Sequence, residues 1–431
     1  MKLAQAKTDA AEARVNRSDL PAGGKWANEA RLAALTRLHG AGLPGRRDEY
    51  WRFTRPDDLN RADAPAADLL KTGESPVFGD MDRLKLVFVD GVLDRDLSDA
   101  MAMQHVEIET LADAAAADIH WARDVYGVLE TAGQAPVERP LAALNTALAE
   151  NGLVIRVTGK APRPINLQYL RRDQNADAVV HHVIKVESGA ELTLLENGPG
   201  AARLSKVAEV DIADGGIFHH VRTQGRDHQR RAHTHTFAHL GKESEFKSFT
   251  LTVNGALTRN EYVITLHGDD ARAHVAGACT GDGATGAFHQ DDTVFITHDA
   301  VNCESRQVYK KVLRNGATGV FQGKILVQPG AQKTDGYQIS QGLLLDDDSQ
   351  FLAKPELEIY ADDVACSHGS TVGAIDEGAM FYLMSRGVPK SRAQELLVLA
   401  FLAEALEEID SETIRDDIRD RLAAWIERHS G

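Results

Sequence analysis

The chain has 431 residues, enough for two or three domains with large buried cores. Charged residues make up 26% and hydrophobic residues 43%, an ordinary globular balance, while 48 basic against 64 acidic side chains leave a formal charge of −16 that repels phosphate backbones. Generic nucleic-acid binding is thereby excluded, and the longest wholly apolar run, the eight residues Leu396 to Ala403, is too short to span a bilayer, which takes roughly 18 to 20.

The N-terminal stretch MKLAQAKTDAAEARVNRSD has no apolar core of a secretory signal, and Cys279, Cys303 and Cys366 are too few and too scattered for a disulfide framework. A cytoplasmic protein with reduced thiols is expected. Leu32, Leu35 and Leu38 recur at helical spacing, with Gly40 and Pro44 closing the segment. Residues 61 to 80 read as a loop. In LKLVFVDGVLDRDLS, Asp90-Gly91 between apolar runs predicts a hairpin, and PLAALNTALAENG predicts a helix from Pro140 to about Asn151-Gly152. A mostly helical region with a small hairpin thus covers 1–150.

From about Leu153 the period falls to two. Strand, short glycine turn, strand recurs with turn glycines at Gly189, Gly215, Gly241 and Gly268, spaced 26, 26 and 27 residues apart, and again around Gly316, 48 further on. Regular spacing without intervening helices suggests a β-solenoid over 151–372. An antiparallel sandwich or meander would also space its turns evenly. After Gly373 helical patterns return over 373–431. One opens at Pro389 with a Ser391/Gln394 capping-box pair, and another carries the stripe Ile414, Ile418, Leu422, Trp425 and Ile426. Between Leu396 and Phe401 the first of these is apolar nearly all round. It is either a core helix packed between its neighbours and the solenoid's end, or a helix that docks a partner.

GDGATG, with Gly281, Gly283 and Gly286 in G-x-G-x-x-G spacing, precedes a strand-like segment rather than the helix a dinucleotide site needs. TGVFQGKI is no P-loop either, with Thr318 in place of the first glycine and Ile325 where Ser or Thr should hold magnesium. Any ATP chemistry must therefore come from another chain. His219, His220, His228, His233, His235 and His239 crowd one segment, where Arg226, Arg230 and Arg231 disfavour a cation. They read better as surface-strand histidines than as a metal site. A metalloenzyme using His233, His235 and Cys366 for hydrolase or lyase chemistry is the rival from another class. Cys279, beside small residues, reads as core packing.

In DDVACSHG an extended backbone points Cys366 and His368 the same way, with Cα atoms roughly 6.6 Å apart. A thiolate and an imidazole at that spacing can converge on one soft metal such as zinc or iron. Two donors make half a site, and no second C-x-H or C-x-x-C supplies the rest. The pair is either one wall of a shared site or a buried thiol beside an exposed ring.

The segments YKKVLRNGATGVFQGKILV, AQKTDGYQISQGLLL, AKPELEIYADDVACSHGSTVG and DEGAMFYLMSRG resemble the SufB/SufD family of iron–sulfur cluster assembly proteins. Upstream, GLPGRRDEYWRFT, LVFVDG and ALNTALAENG are similar to the family's N-terminal region, and the C-S-H-G signature resembles its SufD branch. The resemblance implies a mainly β fold, a right-handed parallel β-helix flanked by N- and C-terminal helical regions. It further implies a non-enzymatic scaffold pairing with a SufB-like paralogue and docking a SufC-like ABC ATPase through the C-terminal helices, with Leu396, Leu397, Leu399, Phe401 and Leu402 as the docking face. His368 takes the family's ligand position for a nascent cluster, with Cys366 beside it. No cofactor is expected to stay bound to the isolated chain, and the cluster is transient. A homodimer of the isolated chain stays open.

Overall fold

The computed structural model describes residues 2–17, 19–69, 77–225 and 227–428. Of the loop expected over 61–80, residues 61–69 are irregular, whereas 70–76 lie outside the described residues, as does Arg226.

Two sheets build the core. The first stacks Leu84–Val89, Ile165–Leu170, Glu191–Asn197, Ile217–Gln224, Glu245–Val253, Arg272–Asp282, Glu304–Arg314, Thr334–Leu344 and Val364–Gly373. The second stacks Leu153–Val157, Asp177–Val186, Arg203–Ile212, Arg231–Leu240, Leu257–Leu266, His289–His298, Thr318–Val327 and Gln350–Ile359. Within each sheet these strands are parallel, and the chain alternates between sheets, which makes a parallel β-solenoid of about eight turns. The hairpin partner Val92–Asp94 and the strand Val106–Thr110 pair antiparallel at the starting end. The sandwich alternative is excluded by the parallel register.

A column of left-handed backbone along one edge sets the period. Gly189, Gly215, Glu243, Asp270, Asn302 and Lys333, spaced 26, 28, 27, 32 and 31 residues apart, all have positive φ. Each donates its N–H to a carbonyl of the next turn, from Gly189 to Asp214 (3.0 Å) through Asn302 to Gln332 (2.8 Å) and Lys333 to Asp363 (2.5 Å). This corrects two readings of the repeat. Gly241 and Gly268 are not the left-handed residues; at Gly268 a Cβ would fall against the Lys242 backbone nitrogen of the turn beneath. Gly316 belongs to the opposite edge, between Glu304–Arg314 and Thr318–Val327. The true successors, Asn302 and Lys333, carry no glycine signature.

Helical regions cover opposite sheets. The N-terminal region contains helices Lys2–Val15, Lys25–Ala41 and Pro140–Leu148, the last with Pro140 at its first turn. Asn145 Nδ2 of the last helix donates to the carbonyls of Val180 and Ser205, seating it on the second sheet. Of the C-terminal helices, Lys390–Leu406 and Glu412–Arg428 lie against the first sheet, and Glu377–Ser385 packs on Lys390–Leu406. The predicted stripe Ile414, Ile418, Leu422 and Ile426 is buried there with Val398, Leu402 and Leu406, against Val221, Phe249, Ala276 and Val308 of the sheet. The helix Lys390–Leu406 therefore packs on the solenoid's flank, not its end. No capping box forms: Pro389, with extended ψ, occupies the cap and no side chain bonds it, which leaves Ser391 inside the helix. No helix among the described residues is long and apolar enough to cross a membrane.

Candidate functional site

At the final turn, Gln350–Ile359 and Val364–Gly373 each have a strand neighbour on one side only. Val364–Gly373 runs parallel to Thr334–Leu344, which sets Cys366 beside Gly336, His368 beside Gln338 and Ser370 beside Ser340. Gln338 is fully buried and its Nε2 donates to Gln307 Oε1 of the preceding turn (2.8 Å), while the Ser340 and Ser370 hydroxyls meet at 2.6 Å. Cys366 packs against the cluster of Ile325, Val327, Ala331 and Ala361 between the sheets. By the period-two alternation, Cys366, His368 and Ser370 all face the solenoid's interior. No further turn covers them. Cys366 is consequently half-buried and His368 exposed, with Ile359 and Val372 at the same mouth 40% and 54% exposed.

The two side chains remain free for metal chemistry to different degrees. Among the described residues His368 makes no hydrogen bond or ion pair with its own chain. Burial pushes the Cys366 thiol up, a backbone hydrogen bond at Gly336 opposes this, and Asp335 adds to the rise. A metal must therefore displace a proton from Cys366. The donors suit iron, and they leave any tetrahedral site short of ligands.

The histidine-rich segment behaves otherwise than expected. His220, His233 and His235 are at most 3% exposed and are not surface residues. His220 faces the interior, its Nε2 3.0 Å from Glu196 Oε1. His233 and His235 face outward, but the N-terminal region covers them, with Trp51 over His233 at 5.8 Å between ring centres. Ligand atoms of His233, His235 and Glu261 lie within 4.8 Å of one another. Glu261, however, already accepts from Arg259 Nε (2.7 Å) and Arg139 Nε (3.2 Å), so a cation would face two guanidinium groups. Four strand spacings, roughly 19 Å, separate the turn of His233 from that of Cys366. The metalloenzyme constellation of His233, His235 and Cys366 is thus not assembled. Cys279 and Cys303 are buried, and burial raises the Cys279 thiol to about 12. Of the glycines in GDGATG, Gly281 lies at the end of a strand, Gly283 opens a short 3-10 turn and Gly286 closes it, and a strand rather than a helix follows.

Of the apolar residues set on the Lys390–Leu406 helix, Leu402 is fully buried in the chain's own core and Leu396 is 37% exposed. Leu397, Leu399 and Phe401 are half-buried, with Lys310 Nζ 5.0 Å above the Phe401 ring. Leu402 as a docking residue is corrected: side chains at that position point to the sheet. The sequence placed helix over 373–431 but did not single out Glu377–Ser385, which buries none of its residues and exposes Phe381 (73%), Tyr382 (54%) and Met384 (44%). Aromatics adjacent in sequence cannot share one helix face, and that was the available signal.

Fold and site define a class: a two-sheet β-solenoid with helical appendages, whose donor pair sits on an open end rather than in a pocket. The family described as "SUF system FeS cluster assembly, SufBD core domain" matches residues 169–401, and the chain belongs to this SufB/SufD family. It is 28% identical to "Iron-sulfur cluster assembly protein SufD" of Escherichia coli over 409 residues, covering 90% of both chains. It is 26% identical to the SufBD family protein slr0076 of Synechocystis over 90% of this chain and 89% of that one, and 26% identical to SufD of Bacillus subtilis over 65% of each.

Proposed function

We propose that this chain is the SufD-type scaffold subunit of a cytoplasmic SUF complex. It pairs through its open end with a SufB-like paralogue and carries a SufC-like ATPase on its C-terminal helices. The observation that carries the reading is His368, an unpartnered imidazole facing the solenoid's interior in the one turn that no other turn covers. There it adds one ligand to a cluster whose remaining ligands the partner supplies, with Cys366 as a second donor. A neutral imidazole binds iron reversibly, which keeps a cluster transferable. The cluster is cargo, not a resident cofactor, and the chain itself does no chemistry on ATP.

The ATPase docks, on this reading, on the patch of Phe381, Tyr382, Met384 and Leu396. Force applied there reaches the site through packing. The helix Lys390–Leu406 rests on Arg272–Asp282 and Glu304–Arg314, and Lys310 of the latter bonds Glu404 of the helix. Glu304–Arg314 is two strand spacings, roughly 10 Å, from the strand of His368. Drawing two ATPase subunits together would move the C-terminal helices and open the interface.

Co-expression with SufB-like and SufC-like chains tests this. A ternary complex that forms a cluster is expected, along with a nearly metal-free chain when it is purified alone. Truncation after Gly373, which removes all three C-terminal helices, should release the ATPase and spare the paralogue; retention of the ATPase by that truncated chain overturns the docking assignment. Stoichiometric metal in the isolated chain overturns the scaffold reading.

A further inference from the structure

The solenoid's interior is not uniformly apolar. In its middle turns Glu196, Lys206, His220, Arg222 and Tyr262 are all at most 3% exposed and face one another between the sheets. Lys206 Nζ bonds Glu196 Oε2, and His220 Nε2 lies on the other oxygen of the same carboxylate at 3.0 Å. Arg222 has no such partner. Among the described residues its guanidinium finds only hydroxyls: Thr234 at 2.9 Å, Thr250 at 3.3 Å and Tyr262 at 3.4 Å, and its Nε has no acceptor at all. Arg230, 1% exposed, bonds the carbonyls of Gly225 and Asn254 and the Thr258 hydroxyl, and its Nε is likewise unpartnered. Arg171 and Asp227 form the nearest other ion pair, at 2.6 Å. Four cations, Arg171, Lys206, Arg222 and Arg230, thus share two carboxylates, Glu196 and Asp227, in a water-poor interior.

A buried guanidinium bonded only to neutral groups is costly unless something compensates its charge. The surplus faces a small cavity. Lys206, Arg222 and Arg230 line it together with Tyr169, Gln224, Thr234 and Glu196, whose carboxylate oxygens are already taken by Lys206 and His220, and its free volume is about 20 Å³. A water-sized body needs roughly 10–15 Å³ on that measure, so the cavity admits one small ion and no phosphate ester. Burial also lowers Lys206 to about 8 against the pull of Glu196, and Arg230 to about 10 against that of Asp227.

We propose that this cavity is a binding site for a monovalent inorganic anion of halide size, held by Arg222 and Arg230 with Lys206 at its wall. The ion neutralises the interior of the middle turns and lies several turns from the open end. The proposal is independent of the cluster role.

Full-length protein melted in sodium bromide, chloride and gluconate at equal ionic strength provides the first test. The expected result is a saturable rise in Tm with the two halides, about 3 °C at a hundredfold excess over half-saturation, and none with gluconate, which the cavity cannot admit. Arg222→Met should abolish the halide-specific rise. Identical melting in halide and gluconate overturns the proposal. The second test needs no variant: a bromide-soaked crystal should show an anomalous peak within hydrogen-bond reach of Arg222 Nε, and a map empty at that cavity overturns the assignment even if Arg222→Met fails to fold.

Discussion

Replacing His368 by alanine separates a ligand from a structural residue, because the two roles predict different readouts. The ring is exposed and makes no hydrogen bond or ion pair among the described residues, and the strand it sits on keeps its backbone pairing to Thr334–Leu344. Surface changes of this kind stay within about 0.5 kcal/mol. About 2.1 cal/mol/K per residue over 431 residues gives an unfolding entropy of roughly 0.9 kcal/mol/K, so Tm should move by about half a degree. Cluster assembly should respond far more strongly. Loss of groups that merely support metal ligands costs about 10- to 100-fold, and loss of a ligand itself should cost at least that. The assay is the rate of cluster absorbance growth in the co-purified complex, set beside a melting curve of the same preparation. A normal rate refutes the ligand role. A drop in Tm of several degrees, with complex formation lost, would instead make His368 an ordinary part of the fold.

Cys366→Ala should cost less than 2 kcal/mol in stability, since the thiol is only half-buried, and retention of the full assembly rate would make Cys366 a bystander packed on Ile325. Leu402→Ala removes a fully buried side chain between helix and sheet, and about 2–5 kcal/mol should be lost, read from denaturant midpoints. Phe381→Asp combined with Tyr382→Asp should abolish ATPase co-purification while Tm stays put; unchanged binding would move the docking face elsewhere. Burial lowers His298 from 6.5 to about 4, so the unfolded chain takes up the proton first as pH falls. Its stabilising contribution is present above pH 6.5 and is lost progressively down to about pH 4, on the order of 3 kcal/mol in all. His298→Gln should flatten that part of the Tm–pH curve, and an unaltered slope would place the proton uptake on other buried rings.

Period and turn chemistry made the solenoid legible. The switch at Leu153 falls on the first residue of a strand, and the Asp90-Gly91 hairpin forms as expected. What failed were inferences that take a residue type as a guide to burial. Histidine and arginine suggested a surface at 219–239, yet a two-sheet solenoid closes one face of every strand inward, and the helical region around Trp51 and Arg139 closes the outward face of His233 and His235. The last three turns also outgrew the earlier period of 26 to 28 residues, and there Asn302 and Lys333 take up left-handed backbone without a glycine to mark it. That Cys366 and His368 share one face of a strand was legible from DDVACSHG. That the pair sits near the solenoid's end followed from the helical patterns that resume after Gly373.

That placement constrains what the pair can do. Every inward position of an interior turn is sealed above and below by the neighbouring turns about 4.8 Å away, as Gln307 and Gln338 are. Donors in those turns are out of reach of ligands on a second chain. Only the terminal turn offers inward-facing side chains to an outside partner, and it does so beside two strand edges whose N–H and C=O groups lack a neighbour. A second chain that pairs with those edges covers the apolar mouth at Ile359 and Val372 and brings its own donors opposite His368 in the same step. Completing the sheets and completing the coordination sphere are then one event. A variant that blocks edge pairing, such as Val372→Pro, should therefore abolish cluster assembly even with Cys366 and His368 intact.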